Sequence, residues 1–325
     1  MSEAVVSTRI RLARNLKEYP FPIRLSVSQA KEIVDLIDDA LKDCGIKFHR
    51  IDLDTVSETM KIALLERHLI SPDFVSGEQG RAVFLSDDNA ISIMVNEEDH
   101  IRLQVIRDGF EPDEAYAVAD KLDNALSKKL NFAFHEKLGY LTQCPTNLGT
   151  GMRASVMLHL PALELTGAVH RIGANLSKLG LTIRGLYGES TKPIGAFFQL
   201  SNQVTLGISE KAAIANLKNI TTQLISQEMK ARENLLGKIE VEDKIARALG
   251  VLKTALVIDH SEAMSLLSLV RLGVASKKLN TLSTDSIDRL IVEIQPASIM
   301  TKCGEEMSPQ ERDIKRAEMI RERFQ

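Results

Sequence analysis

Cys144, Gly149, Gly151 and Arg153 stand close together in LTQCPTNLGTGMRASVMLHLPAL (residues 141–163), and their types suit a reaction on a charged substrate. Cys144 comes immediately before Pro145, where a turn can present a thiolate. Such a thiol is reactive only in an electropositive, partly exposed setting. Gly149 and Gly151 let the backbone approach a ligand closely or take φ > 0. Arg153 is expected to open an apolar helix, whose free N–H groups and dipole would favour phosphate. A buried cysteine beside a glycine turn is also ordinary packing, so the chemistry needs support from elsewhere in the chain.

Arginines and acids supply that support. Arg9, Arg11 and Arg14 recur near the start, and Arg102, Arg153 and Arg184 each lie beside a turn or strand signal. A planar guanidinium matches phosphate oxygens two at a time, where lysine offers a point charge. Any one such arginine is ordinary solvated surface; their joint placement is what points to a site. Asn96-Glu97-Glu98-Asp99-His100-Ile101-Arg102 sets three carboxylates beside an arginine. Adjacent acids repel unless cations compensate, and a solvated acidic turn is the plain alternative. Glu189 closes Arg184-Gly185-Leu186-Tyr187-Gly188-Glu189, where glycines again permit tight backbone near an arginine and an acid. Acids that pair with a cation and arginines that pair with an anion could together hold a guanidinium against a nucleotide phosphate.

Composition bounds the class. With 325 residues, 44% hydrophobic and 26% charged, the chain reads as an ordinary globular protein large enough for two domains. Cys44, Cys144 and Cys303 are far apart and odd in number, which favours free thiols in a reducing cytosol over a disulfide framework or a zinc site. A net charge of −3 provides no overall field towards nucleic acid. The start has no apolar signal segment, and no run approaches the roughly 18 apolar residues of a membrane span. A soluble, cytoplasmic protein without nucleic-acid or membrane partners is expected.

Elements must position these residues. Residues 26–45 carry apolar side chains at helical spacing, with Ser26 and Gln29 as a capping box and Gly45 as the stop. Residues 81–86 and 90–96 alternate around an Asp87-Asp88-Asn89 turn, predicting an antiparallel hairpin with Ile91, Ile93 and Val95 on one face. A third strand from Ile101 puts Arg102 on the face opposite Ile101, Leu103 and Val105. A helix from Pro112 to near Asn131 follows, then short strands at residues 132–135, 140–143, 181–184, 196–200 and 203–206. Ser209 caps a long helix bearing Ile214, Leu217, Leu224 and Ile225. The pattern predicts an α+β fold, an antiparallel sheet flanked by helices, in residues 1–237, and a smaller all-helical domain in residues 238–325.

STRIRLARN (residues 7–15), NEEDHIR (96–102), CPTNLGTGMRAS (144–155) and RGLYGE (184–189), in that order, resemble the successive signatures of the ATP:guanidino phosphotransferases, or phosphagen kinases. More narrowly the chain resembles the bacterial protein-arginine kinase branch, along nearly its whole length. The resemblance implies that ATP phosphates, with Mg²⁺, are bound by Ser7, Thr8, Arg9, Ile10 and Arg11, and by Arg102. Arg153, Ala154, Ser155, Val156 and Met157 join them, as do Arg184, Gly185, Leu186, Tyr187, Gly188 and Glu189. His68 resembles a nucleotide-contacting histidine. Glu98 corresponds to the carboxylate that aligns the guanidinium and takes its proton, Glu189 to the second acid, and Cys144 to the thiol beside them. No separate protein-held metal cage is implied. No GxxxxGK[ST] loop occurs.

Two departures stand out. Only six residues precede Ser7, where members acting on small metabolites carry a helical front domain, so an open site admitting a protein arginine is expected. Gln143 is larger than the Ser or Thr expected before the thiol. Near the end, Ser308-Pro309-Gln310-Glu311 is a capping box opening a helix to Phe324. Arg312, Asp313 and Arg316 there read as a salt-bridged surface, but Arg312-Asp313-Ile314-Lys315-Arg316-Ala317 also resembles the branch's RDxxRA motif, which implies phosphoarginine binding away from the catalytic site. The resemblance further implies protein substrates with exposed arginines, a zinc-binding activator, a heat-shock repressor, a protease-associated unfoldase and a homodimer or higher oligomer. Three readings stay open: a protein-arginine kinase, a kinase for a free guanidino metabolite, and a catalytically weak phosphoarginine-binding adaptor.

Overall fold

The computed structural model describes residues 2–77, 79–185 and 194–325. They form two compact units, one of Ser7–Ser155 and Ser201–Lys218, the other of Met1–Val6, Val156–Leu200 and Asn219–Gln325. The strands are β1 (Val5–Arg14), β2 (Phe48–Asp52), β3 (Ala82–Ser86), β4 (Ile91–Val95), β5 (Ile101–Asp108), β6 (Phe134–His135), β7 (Gly139–Tyr140), β8 (Met152–His159), β9 (Leu181–Gly185) and β10 (Phe197–Asn202). The longer helices of the first unit are α1 (Val27–Leu41), α2 (Glu58–Glu66), α3 (Pro72–Val75) and α4 (Pro112–Ser127). Those that follow are α5 (Pro161–Leu165), α6 (Ala168–Leu176), α7 (Glu210–Leu235), α8 (Ile239–Thr254), α9 (His260–Ala275), α10 (Thr284–Glu293), α11 (Pro296–Cys303) and α12 (Pro309–Phe324).

In the first unit the strand order is β2-β3-β4-β5-β1-β8, antiparallel from β2 through β1. The Ser26 capping box starts α1 as the sequence predicts. The hairpin β3–β4 forms too, but every residue of both strands is buried, so the expected in-and-out alternation is lost. Val83, Leu85 and Met94 pack against Leu64, Leu69, Ile70 and Phe74 from α2, α3 and the turn between them, and this covers the face that alternation would leave wet.

Two expectations are overturned. Arg153 does not open a helix: it lies in β8, where Met152, Ala154, Val156 and Leu158 are buried while Arg153 and Met157 are only partly so. That two-residue period, and not a helical one, decides the conformation, and the next helix waits for Pro161 at its first turn. The helix-dipole argument for phosphate at Arg153 therefore falls. Residues 203–206 form no strand. Thr205 instead acts as a staple: its hydroxyl donates to the carbonyls of Thr146 (2.9 Å) and Leu148 (2.7 Å), and its carbonyl accepts from Thr150 N (3.0 Å).

In the second unit β8, β10 and β9 lie in that order, and from Ile239 to Phe324 every regular element is a helix. Met264, Leu267, Val270, Ile287, Leu290 and Ile320 are among the residues filling its core. A buried polar network supports it. The Glu228 carboxylate accepts from Ala162 N and Leu163 N, capping α5, and is held by Arg232 Nε at 2.7 Å. No helix among the described residues is long and apolar enough to cross a membrane.

Candidate active site

Register assembles the cations. On β1, Arg9 and Arg11 share one face with Ala13, and Ala13 pairs directly with Arg102 on β5, so all three guanidinium groups rise from the same side of the sheet. Arg153 joins them from β8, the next strand over. The closeness is visible in the electrostatics. Burial and the Arg102 charge lower the Arg9 pKa to about 10. Arg11 is held well below its ordinary value by burial, then by Arg9, Arg102 and Arg153. Arg11 Nε is buried without a hydrogen-bond partner. Four cations gathered at such electrostatic expense are chemically suited to an anion.

The same register divides the first segment in two. Thr8 and Ile10 sit on the opposite face, fully buried; the Thr8 hydroxyl donates to Gly109 O at 2.7 Å and accepts from Glu111 N. Ser7 shares the face of Arg9 and Arg11. Arg14 also falls on the other face, where it braces the fold. It pairs with Asp123 at 2.9 Å, donates to Thr150 O and lies 3.4 Å over the Tyr140 ring. Ala154 is buried, its N–H donating to Asn202 Oδ1 at 2.7 Å; Ser155 is buried with its hydroxyl on Arg9 O at 3.5 Å. Val156, buried, and Met157 belong to the second unit. Arg184, exposed, and Gly185 also lie in that unit, on β9. Leu186, Tyr187, Gly188 and Glu189 lie outside the described residues.

His68 has φ 60° and anchors its turn through its carbonyl, which accepts from Gln104 Nε2 at 2.7 Å. Burial, then the Arg9 charge, lowers its pKa to about 4, so its ring is neutral beside the cationic cluster.

The three acids of the NEED turn lie close enough to feel one another's charge, but each has a separate partner. Glu97 is buried and accepts from both Arg102 Nη1 and the Ser71 hydroxyl. Burial alone would raise its pKa, but the Arg102 charge and these hydrogen bonds hold it below the ordinary value. Asp99 accepts from Asn15 Nδ2 (2.6 Å) and Gln143 N (2.8 Å). Glu98 is left for the site: burial, then the neighbouring Asp99, raises its pKa, while the Cys144 side chain beside it acts to lower it. Cys144 Sγ is also 3.0 Å from Thr146 Oγ1.

Asn147, which the sequence motifs did not single out, joins the two halves. Its Nδ2 donates to Glu98 Oε2 at 3.3 Å, and its Oδ1 accepts from Arg153 Nη2 at 3.2 Å. The only hint was its place inside CPTNLGTG. Glycine makes the loop possible. At Gly149 (φ +103°) a Cβ would stand 2.2 Å from Thr205 O, and at Gly151 (φ +60°) 2.7 Å from Ala13 O. Gln143 does not touch the thiol with its side chain; Oε1 accepts from Ile23 N at 3.2 Å.

In α12, Arg316 is 1% exposed; its Nε donates to Ile294 O and its Nη1 to Ile258 O and the Asp313 carboxylate. Arg312, one turn earlier, is partly exposed, with Nη1 3.9 Å from Met300 Sδ. No group of three His, Cys, Asp or Glu among the described residues is arranged to hold a metal ion.

The sheet, the arginine array and the acid–thiol pair define a guanidino-group kinase, and the comparisons agree. The profile of the ATP:guanido phosphotransferase C-terminal catalytic domain matches residues 30–231, and that of the protein-arginine kinase McsB C-terminal domain matches residues 238–325. The chain belongs to the ATP:guanido phosphotransferase family of ATP-dependent kinases. It is 47% identical to a protein-arginine kinase of Halothermothrix orenii, over 99% of this chain and 93% of that one. It is 46% identical to a protein-arginine kinase of Clostridium acetobutylicum, over 99% and 96%. Among solved structures, the duplicated taurocyamine kinase from Schistosoma mansoni with bound transition state analog components aligns with TM-score 0.63 and 30% identity over 70% of this chain. This chain spans 33% of that duplicated protein. A lombricine kinase, 24% identical over 70% of this chain and 67% of its own, shares the fold with TM-score 0.62.

Proposed function

We propose that this protein transfers the γ-phosphoryl group of ATP to the guanidino group of arginine side chains in proteins. One observation carries the reading: the Arg9, Arg11, Arg102 and Arg153 cluster adjoins the Glu98–Cys144 pair, with Asn147 touching both. The arginines take the polyphosphate; Glu98 and Cys144 take the cationic acceptor.

A guanidinium is fully protonated at neutral pH and has no good lone pair, so a nitrogen must lose a proton as it attacks the γ-phosphorus. Glu98, with a raised pKa, is matched to accept it. The N–P bond forms, the bridging bond between the γ-phosphorus and the β-phosphate oxygen breaks, and ADP leaves with that oxygen. The arginines offset the charge spreading over the transferring group, where positioning and electrostatics supply most of the acceleration. Mg²⁺ keeps several waters and suits nucleotide phosphate oxygens better than a protein cage. When bound with ATP it would neutralise phosphate charge. Arg184 and Glu189 are assigned a phosphate contact and the second carboxylate on the family resemblance.

Relatives named protein-arginine kinase, together with the C-terminal domain match, favour protein arginine over a free guanidino metabolite. The acid and arginine set speaks against a mere adaptor. On the same resemblance we assign the protein to the cytoplasm, to stress response and protein quality control, and to a homo-oligomer. Its partners would be a zinc-binding activator and a protease-associated unfoldase. The RDxxRA motif would be an allosteric phosphoarginine site. Because Arg316 is buried with Nε and Nη1 already engaged, Arg312 would hold the phosphoryl oxygens and Asp313 the guanidino end.

The test is incubation with Mg-ATP and either free arginine or an unfolded protein, followed by assay of acid-labile phosphate. Label on the protein is expected. Label on free arginine alone would establish the metabolite kinase, and no transfer the adaptor.

A further inference from the structure

Asn15, just beyond β1, is 2% exposed and its side chain hydrogen-bonds neither the arginine cluster nor Cys144, yet its amide is fully used. Nδ2 donates to Asp99 Oδ1 at 2.6 Å and to Leu141 O at 3.0 Å, while Oδ1 accepts from His100 N at 2.9 Å. Asp99, also 2% exposed, accepts from Gln143 N at 2.8 Å through the same oxygen. The main chain of Asn15 joins in, its carbonyl accepting from Ala133 N at 2.7 Å. One side chain thus ties the acidic turn to the run of residues leading to the thiol. Glu98 directly precedes Asp99, and Cys144 directly follows Gln143. The backbone segments that carry the two reactive side chains cannot part without breaking hydrogen bonds at Asn15 or Asp99.

We propose that Asn15 is a positioning residue for phosphoryl transfer, holding Glu98 and Cys144 in register through Asp99 and Leu141. The proposal rests on the transfer activity argued above and adds to it a residue that never meets the substrate. A purely packing asparagine would satisfy its own polar atoms within one element. Asn15 instead bridges two loops, one carrying Glu98 and the other leading to Cys144, and misplacement of a reacting group by about 1 Å can cost on the order of 10²-fold in rate.

Three variants test it: Asn15→Asp, Asp99→Asn and the exchanged pair Asn15→Asp/Asp99→Asn, each assayed for phosphate transfer to an unfolded protein with ATP varied. Asn15→Asp sets two carboxylates against each other, and kcat should fall ~100-fold while KM for ATP stays within about twofold. The exchanged pair restores a donor opposite an acceptor and should regain about tenfold of that loss. A pH profile separates positioning from mere stability. Glu98 faces Asp99 and Glu97, which raise its pKa, and Arg102 and Cys144, which lower it. Asp99→Asn removes one of the raising charges, so the acid limb of kcat should move to lower pH.

Should Asn15→Asp melt below the assay temperature, a further variant, Asn15→Ala, which removes the bridge without adding a charge, decides alone, by lowered kcat at unchanged KM for ATP. An active wild type whose variants keep kcat, or lose kcat and ATP affinity in equal proportion with no recovery in the exchanged pair, overturns the positioning role. A wild type that transfers no phosphate overturns instead the activity on which it rests.

Discussion

Glu98 and Arg153 are joined by a single amide, Asn147 donating to the acid at 3.3 Å and accepting from the guanidinium at 3.2 Å. The group that would take the acceptor's proton and a cation that would hold the donor's phosphates are thereby fixed at a short, shared distance. In-line transfer needs that: attacking nitrogen, phosphorus and leaving oxygen aligned before the barrier is climbed.

Replacing Asn147 with Leu removes both hydrogen bonds while keeping similar bulk. We expect kcat for protein phosphorylation to fall roughly 10- to 100-fold, with KM for ATP changed by less than about threefold. Steady-state kinetics with ATP and acceptor varied separately would check this, and a variant whose loss lies entirely in KM for ATP would contradict the bridging role.

The two ends of the bridge should behave differently. Glu98→Ala is expected to abolish transfer and leave nucleotide binding largely intact. Arg153→Ala should weaken Mg-ATP binding ~10- to 100-fold, as the loss of a charge-assisted hydrogen bond implies. Calorimetric titration of both variants with Mg-ATP would reveal the division, and equal losses of affinity would refute it.

Glu97 is a structural acid. Its buried carboxylate meets Arg102 and Ser71, and Glu97→Gln would leave Arg102 without its counter-charge. A destabilisation of about 3–5 kcal/mol is expected. Urea denaturation monitored by circular dichroism measures it; a loss below about 1 kcal/mol would place the pair among weak surface bridges.

Acid should loosen the loop that follows β1. His100 is fully buried, its Nδ1 accepting from Leu16 N (2.9 Å) and its Nε2–H donating to Pro20 O (2.8 Å), so only the neutral ring satisfies both. Burial lowers its pKa from 6.5 to about 4. A depressed folded-state value means this stability is whole above about pH 6.5 and drains away as pH falls towards 4. Between pH 6.5 and 5 the share due to His100 is about 2 kcal/mol. Unfolding free energies across that range should decline less steeply in His100→Gln than in the wild type.

In α12 the two arginines of the motif should separate cleanly. Arg316→Ala strips the carbonyls of Ile294 and Ile258 of a buried donor and should lower the melting temperature by several degrees. Arg312→Ala should leave melting within about a degree while weakening phosphoarginine binding. Thermal denaturation and a fluorescence titration with phosphoarginine would distinguish them, and a reversed pattern would return the ligand-binding role to Arg316.

Much of this is legible in the residues because it is local. The Ser26 and Ser308 capping boxes and the Asp87–Asn89 turn depend on neighbours within a few positions. The motifs name the reactive types, Glu98, Cys144 and the arginines. Arg153 misleads because a glycine turn followed by apolar residues suits either a helix or a strand when periodicity is judged over too short a window. The staple at Thr205 is hidden because its hydrogen bonds reach residues 57 and 59 positions away.

What the amino-acid order determined by itself was the inventory of chemistry: cations for phosphate, acids and a thiol for a guanidinium, and the turns able to carry them. Tertiary structure decided which of those groups are free to act. Register put Arg9, Arg11 and Arg102 on one face and sent Thr8, Ile10 and Arg14 to the other. Of three consecutive acids, packing gave Glu97 to Arg102 and Asp99 to Asn15, and only Glu98 was left beside the thiol. The reason is physical: a side chain's role depends on its desolvation and its partners, and both come from chain segments far apart in sequence.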